Sequence, residues 1–179
     1  MNGVRRRFTP LQRVLHWLMA VCILAMLFIG VGMVSSIMPN YLSLVSIHKP
    51  LGILILVLVA IRLINRLLDP PRPLPETFPL PLRFAAEASH WLLYALMFAV
   101  PLVGWAMLSA AGYPIQLIGS LHLPPILPHN DPLFAVLRPL HTALAILLFA
   151  TFLAHLGAAL THALIFRDGV FQSMASWRK

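Results

Sequence analysis

Apolar residues fill this chain in four long runs, and the charged residues and prolines collect between the runs. The first run, residues 14–38, contains no Asp, Glu, Lys or Arg, and it exceeds the roughly 20 residues that cross the hydrocarbon core of a bilayer. Hydropathy and helix breakers together predict helices over 12–36, 48–68, 86–110 and 135–165. Pro39-Asn40 marks the end of the first, Asp69-Pro70-Pro71-Arg72-Pro73 the end of the second, and Gly112-Tyr113-Pro114 the end of the third. The reason is that proline removes a backbone donor and restricts the residue before it. Pro101 falls inside the third run, where a membrane helix tolerates a kink. The expectation is an all-α fold: one integral membrane domain, 1–179, built as a four-helix bundle.

Composition strengthens this reading. Of 179 residues, 60% are hydrophobic and only 10% charged, too few charges to cover a soluble core of this size. A secretory signal is the competing explanation for Arg5, Arg6 and Arg7 ahead of an apolar run. The run is longer than a usual h-region, carries His16 and Trp17 at its start, and ends without a small-residue cleavage site. Cys22 is the single cysteine, so an intrachain disulfide, covalent c-type haem attachment and thiolate-rich metal sites are all excluded.

The net charge of +8 takes its meaning from which side of the membrane carries it, and it does not point to nucleic acid. Arg5, Arg6, Arg7, Arg13, Arg62, Arg66, Arg72, Arg83, Arg167, Arg178 and Lys179 fall on one side, and only Lys49 and Arg138 on the other. The positive-inside rule then places both termini in the cytoplasm. The longest loop, about 111–133, lies outside; it is rich in proline, contains His122 and His129, and is expected to cap the bundle with a short interfacial helix.

The chemistry resides in the histidines. His141 and His155 are fourteen residues apart on the fourth helix, an advance of about 21 Å through nearly four full turns, so they share a face at two depths. One helix thus offers an axial imidazole to each of two haems, and neighbouring helices supply the second ligands. Depth pairs His48 with His141 and His16 with His155, although His162 continues the stripe and is nearer to His16 in nominal depth. Arg62 lies fourteen residues after His48 and on the same face, where a haem propionate would balance its charge, with Arg66 one turn further as a second partner. A lone membrane histidine often does no more than hydrogen-bond between helices; the correlated spacing is what argues for ligation. His90 has no counterpart fourteen residues away, and packing or a quinone pocket is its expected role.

Leu15-His16-Trp17, Ile47-His48-Lys49-Pro50-Leu51-Gly52, Arg62 with Arg66, and His141 with His155 and His162 resemble the bacterial cytochrome b561 family over almost the whole chain. The resemblance implies a dihaem b-type cytochrome of the bacterial inner membrane, with His16, His48, His141 and His155 as axial ligands. It further implies the branch of the family that acts as superoxide oxidase, moving electrons from periplasmic superoxide to ubiquinone. The loop over 112–137 does not match the family closely.

Lys49 and Arg138, beside His48 and three residues before His141, would raise the encounter rate of an anion such as superoxide; head-group anchoring is their bland alternative. At the other end His162 and His90 are candidates to hold a quinone oxygen and supply a proton. A second reading is an electron-transfer subunit that takes electrons from a periplasmic dehydrogenase or hydrogenase docked on the outer loop. A haem-free metal or proton transporter is disfavoured, because Asp69, Glu76, Glu87, Asp131 and Asp168 are all expected at or beyond helix ends.

Overall fold

The computed structural model describes residues 8–35, 40–71 and 78–176. Arg5, Arg6, Arg7, Arg72, Arg178 and Lys179 of the charge pattern, the breakers Pro39 and Pro73, and Glu76 lie outside the described residues. Four helices cross the length of the molecule: α1 (Pro10–Ser35), α2 (Asn40–Leu68), α3 (Leu80–Ala110) and α4 (Asp131–Thr161). Each is long and apolar enough to span a membrane, and the protein is a helical membrane bundle.

The helices begin earlier than hydropathy suggests. α2 runs through Pro50 and starts at Asn40, not at 48, because within a membrane neighbouring groups satisfy the carbonyl that proline leaves free. α4 starts at Asp131, not at 135: Asn130 caps it, its side-chain oxygen accepting from the Leu133 N–H at 2.9 Å, and Asp131 complements the helix dipole in the first turn. α3 starts at Leu80, with Pro79 as its N-cap residue and Pro81 in its first turn, which places Glu87, expected at a helix end, two turns inside α3 with its side chain exposed.

α1 packs on α2, α2 on α3 and α3 on α4, whereas α4 makes at most sparse contact with α1 and α2. The buried layer therefore sits at mid-height, where Met19, Ile23, Ile55, Val59, Met97 and Leu148 meet. Leu148 lies seven residues from both His141 and His155, and Ile55 seven from both His48 and Arg62, so this layer separates two polar levels.

Between α3 and α4 the chain forms no interfacial helix. It makes an antiparallel hairpin, β1 (Ile115–Ile118) and β2 (Leu121–Leu123), with Gln116 opposite His122. Proline at 114, 124, 125 and 128 denies the segment a helical ladder, and Gly119, at φ +56°, supplies the left-handed turn between the two strands. Gly112 (φ +71°) lets α3 stop, with the Tyr113 N–H reaching the Leu108 carbonyl at 2.9 Å. The Trp105 indole N–H donates to the Pro124 carbonyl at 3.0 Å, and the Asn130 N–H to the Ala110 carbonyl at 2.9 Å, closing the excursion over the bundle.

At the opposite end α4 passes into a π-helical turn, His162–Phe166, then reverses at Arg167 (φ +50°) and Gly169 (φ +82°) into a short α5 (Val170–Ala175). This returning segment is fastened to α1, for the Trp17 indole N–H donates to the Met174 carbonyl at 3.3 Å and the buried Arg13 to the Ser176 carbonyl.

Candidate haem sites

The up-and-down course of α1 to α4 brings four of the histidines together in two pairs. His48 of α2 faces His141 of α4 near the hairpin end, with ring centroids 6.2 Å apart and planes inclined at 72°. His16 of α1 faces His155 of α4 near the arginine-rich end, at 6.3 Å and 66°. Two imidazoles bound on opposite sides of one iron, each by a bond of ~2 Å, have centroids roughly 6 Å apart. Rotation about the N–Fe–N axis changes the interplanar angle without changing that separation, so both pairs leave room for one iron. Among the described residues no cluster of three or more His, Cys, Asp or Glu side chains could hold a bare metal ion. Two imidazoles alone suit an iron whose other ligands come from a porphyrin.

The environment of the rings fits this chemistry. His141 Nδ1 lies 3.1 Å from the Val100 carbonyl, a contact that fixes the hydrogen on Nδ1 and leaves Nε2 unprotonated and able to ligate a metal. His48 Nδ1 is buried and has no hydrogen-bond partner among the described residues. Lys49, half-buried beside His48, and Arg138, exposed one turn before His141, are the Lys and Arg residues at this end among the described residues. Arg138 borders an open hollow of about 410 Å³ that runs along α4 past Pro139, Thr142 and Ile146.

The other level is more crowded. His90 reaches His155 at a centroid distance of 5.4 Å, too close for an iron in line between them, so it is a neighbour of the His16–His155 pair. Arg62 lies within electrostatic range of His16, His90 and His155. Its Nε donates to the Tyr94 hydroxyl at 3.1 Å. Arg66 stands over the Trp91 ring at 5.3 Å and the Tyr94 ring at 5.7 Å. Sequence reasoning missed Tyr94; the available signal was its four-residue spacing from His90, one helical turn along the same face.

His162 follows a different course. The π turn carries it toward the returning segment, where Nδ1 lies 2.6 Å from Asp168 Oδ2 and the ring neighbours Phe78 and Phe166. Burial alone would raise the Asp168 carboxyl, but the Val170 N–H and the His162 ring outweigh it and hold the group below its ordinary range. His122 and His129 are loop residues: His122 Nδ1 contacts the Ser120 carbonyl at 2.7 Å, and His129 lies 3.6 Å from Asp131.

With this geometry in place, comparison with known proteins decides the lineage: the model of the prokaryotic cytochrome b561 family matches residues 7–177. The chain belongs to that family. It is similar to cytochrome b561 homolog 2 of Escherichia coli (strain K12), at 31% identity over 171 residues that cover 94% of this chain and 90% of that protein. Cytochrome b561 homolog 1 of the same organism is 31% identical over 184 residues, covering 97% and 99%. A probable superoxide oxidase, CybB, of Yersinia pestis is 32% identical over 133 residues, 72% of each chain. Cytochromes of the b561 family carry electrons in the membrane and hold b-type haem, so this cytochrome is an oxidoreductase-type membrane protein.

Proposed function

We propose that this cytochrome holds two b-type haems, one between His48 and His141 and one between His16 and His155, and moves single electrons from superoxide to ubiquinone. The observation that carries the reading is the pair of imidazole separations, 6.2 Å and 6.3 Å, repeated at two levels of one helix and parted by an apolar layer. Haem bound at each pair supplies the one-electron relay that the polypeptide lacks. Arg13, Arg62, Arg66, Arg83 and Arg167 at one end, against Lys49 and Arg138 at the other, support an inner membrane orientation with cytoplasmic termini and the hairpin outside.

On this reading the residues divide the work. Lys49 and Arg138 concentrate an anion at the outer end, where two superoxide ions each lose one electron and leave as dioxygen. Arg62 and Arg66 balance the propionate charge at the inner level. Reduction of one quinone to quinol consumes those two electrons and two protons from the cytoplasm. His162, its Nδ1 held to Asp168, and His90 are the imidazoles able to bond a quinone oxygen and pass a proton there. The superoxide assignment also draws support from the name of the Yersinia pestis relative.

The test is to purify the oxidised protein in detergent, count haem per chain, pulse superoxide and follow the b-type bands with and without a ubiquinone. Two haems, rapid reduction by superoxide and reoxidation that needs quinone are expected. Bands that ignore superoxide but respond to a co-purifying periplasmic dehydrogenase overturn the choice of donor.

A further inference from the structure

The outer ligand is seated by α3, a helix that supplies neither imidazole of that pair. Val100 of α3 presents its carbonyl to His141 Nδ1 at 3.1 Å. It precedes Pro101, which stands inside the helix and has no N–H. One turn further along is Gly104. A Cβ at Gly104 would lie 3.0 Å from His141 Cε1 and 3.3 Å from Nδ1, closer than the roughly 3.5–4.0 Å of an ordinary carbon contact. The ring therefore fills the notch that the missing side chain leaves. That notch is also the approach to the Val100 carbonyl.

We propose that Gly104 is a positioning residue for the outer haem: its bare Cα lets His141 dock on the Val100 carbonyl, so that Nδ1 carries the hydrogen and Nε2 faces the iron. The proposal rests on His141 being an axial ligand. It adds an asymmetry within the pair, because His48 Nδ1 has no such acceptor among the described residues. A hydrogen-bonded imidazole is the more basic ligand and favours ferric iron, so the Val100 carbonyl holds the outer haem's potential down.

The experiment compares Gly104→Ala with Gly157→Ala, a control on α4 where a Cβ meets nothing within 4 Å. Full-length proteins in detergent are titrated through both b-type transitions and then challenged with an excess of an apo-globin that accepts released haem. Gly104→Ala is expected to raise the potential of one haem, leave the other where it was, and release that one haem about 10–100 times faster, the range typical of lost outer-shell partners. Gly157→Ala is expected to behave as wild type. Potentials and release rates unchanged in Gly104→Ala overturn the proposal. Should Gly104→Ala fail to accumulate, proton hyperfine spectroscopy of the ferric wild type decides, since one axial imidazole of the outer haem must then show a strongly bonded Nδ1 hydrogen and its absence overturns the idea. His141→Leu separates the two levels of argument. Loss of one haem from it beside an unaffected Gly104→Ala overturns only the positioning role, whereas retention of both haems overturns the ligand assignment beneath it.

Discussion

Tyr94→Phe isolates one hydrogen bond at the inner level. The Tyr94 hydroxyl accepts from Arg62 Nε at 3.1 Å, and the residue is 6% exposed, so no bulk water stands ready to replace it. A hydrogen bond to a charged group contributes about 1.5–3 kcal/mol in soluble proteins. Interhelical bonds in bilayers average only about 0.6 kcal/mol, because inserted but unpacked helices find other partners. The charge on Arg62 favours the upper range, since an Nε hydrogen left without its acceptor at this depth is costly even where a propionate takes the terminal nitrogens. The expected loss is therefore about 1.5–2 kcal/mol, an unfolding constant raised roughly 10–30-fold. Phenylalanine keeps the ring that Arg62 and Arg66 approach at 6.0 Å and 5.7 Å. Tyr94→Leu removes those contacts as well and should cost a further ~0.5–2 kcal/mol. Unfolding in mixed micelles titrated with an anionic detergent, followed by circular dichroism and the haem bands, measures both variants. A Phe variant within about 0.3 kcal/mol of wild type would refute the reasoning and mean that another group already satisfies the Arg62 Nε hydrogen. A Phe variant less stable than the Leu variant would refute the division between bond and ring.

Two further outcomes follow from the same structure. Lys49→Gln and Arg138→Gln should each slow haem reduction by superoxide several-fold at low ionic strength. The deficit should disappear in high salt, because screening shortens the reach of a surface charge to a few ångströms; stopped-flow rates across a salt series check this, and a salt-independent deficit contradicts it. Asp168, depressed in the folded state by its bonds to the Val170 N–H and His162, contributes stability that is present above its ordinary 3.8 and lost as the pH falls through its lower folded value. The Arg167–Gly169 reversal and α5 should accordingly loosen below about pH 4. Asp168→Asn should lack that acid step and, for an exposed pair worth at most about 1 kcal/mol, be cut near the C-terminus roughly fivefold faster at most at neutral pH. Limited proteolysis with mass mapping reads both effects.

Four spans follow from the scarcity of charge, because a bilayer imposes one length and one polarity on every crossing segment. The common face of His141, Leu148 and His155 follows from helix periodicity alone, as does the alignment of His48, Ile55 and Arg62. Helix starts were less legible: Asn40 and Asp131 lie beyond the apolar runs, and capping and proline chemistry set them where hydropathy is silent. The segment 115–123 forms a hairpin and not the expected helix because an apolar, proline-rich loop can lie on a membrane surface in either form, and turn residues such as Gly119 decide between them.

The sequence by itself determined that the chain enters lipid, how many times it crosses, and which histidines share a face at which height, since all of these are properties of single helices. Only the tertiary structure decided which rings meet and at what distance. The 6.2 Å and 6.3 Å separations, the intrusion of His90 beside His155, the clasp of Tyr94 on Arg62, the seating of His141 against Gly104 and the turning of His162 toward Asp168 all join residues far apart in the chain or carried past a change of helix type. Such contacts depend on how helices cross and where they end, and no periodicity within one segment encodes the position of its neighbour.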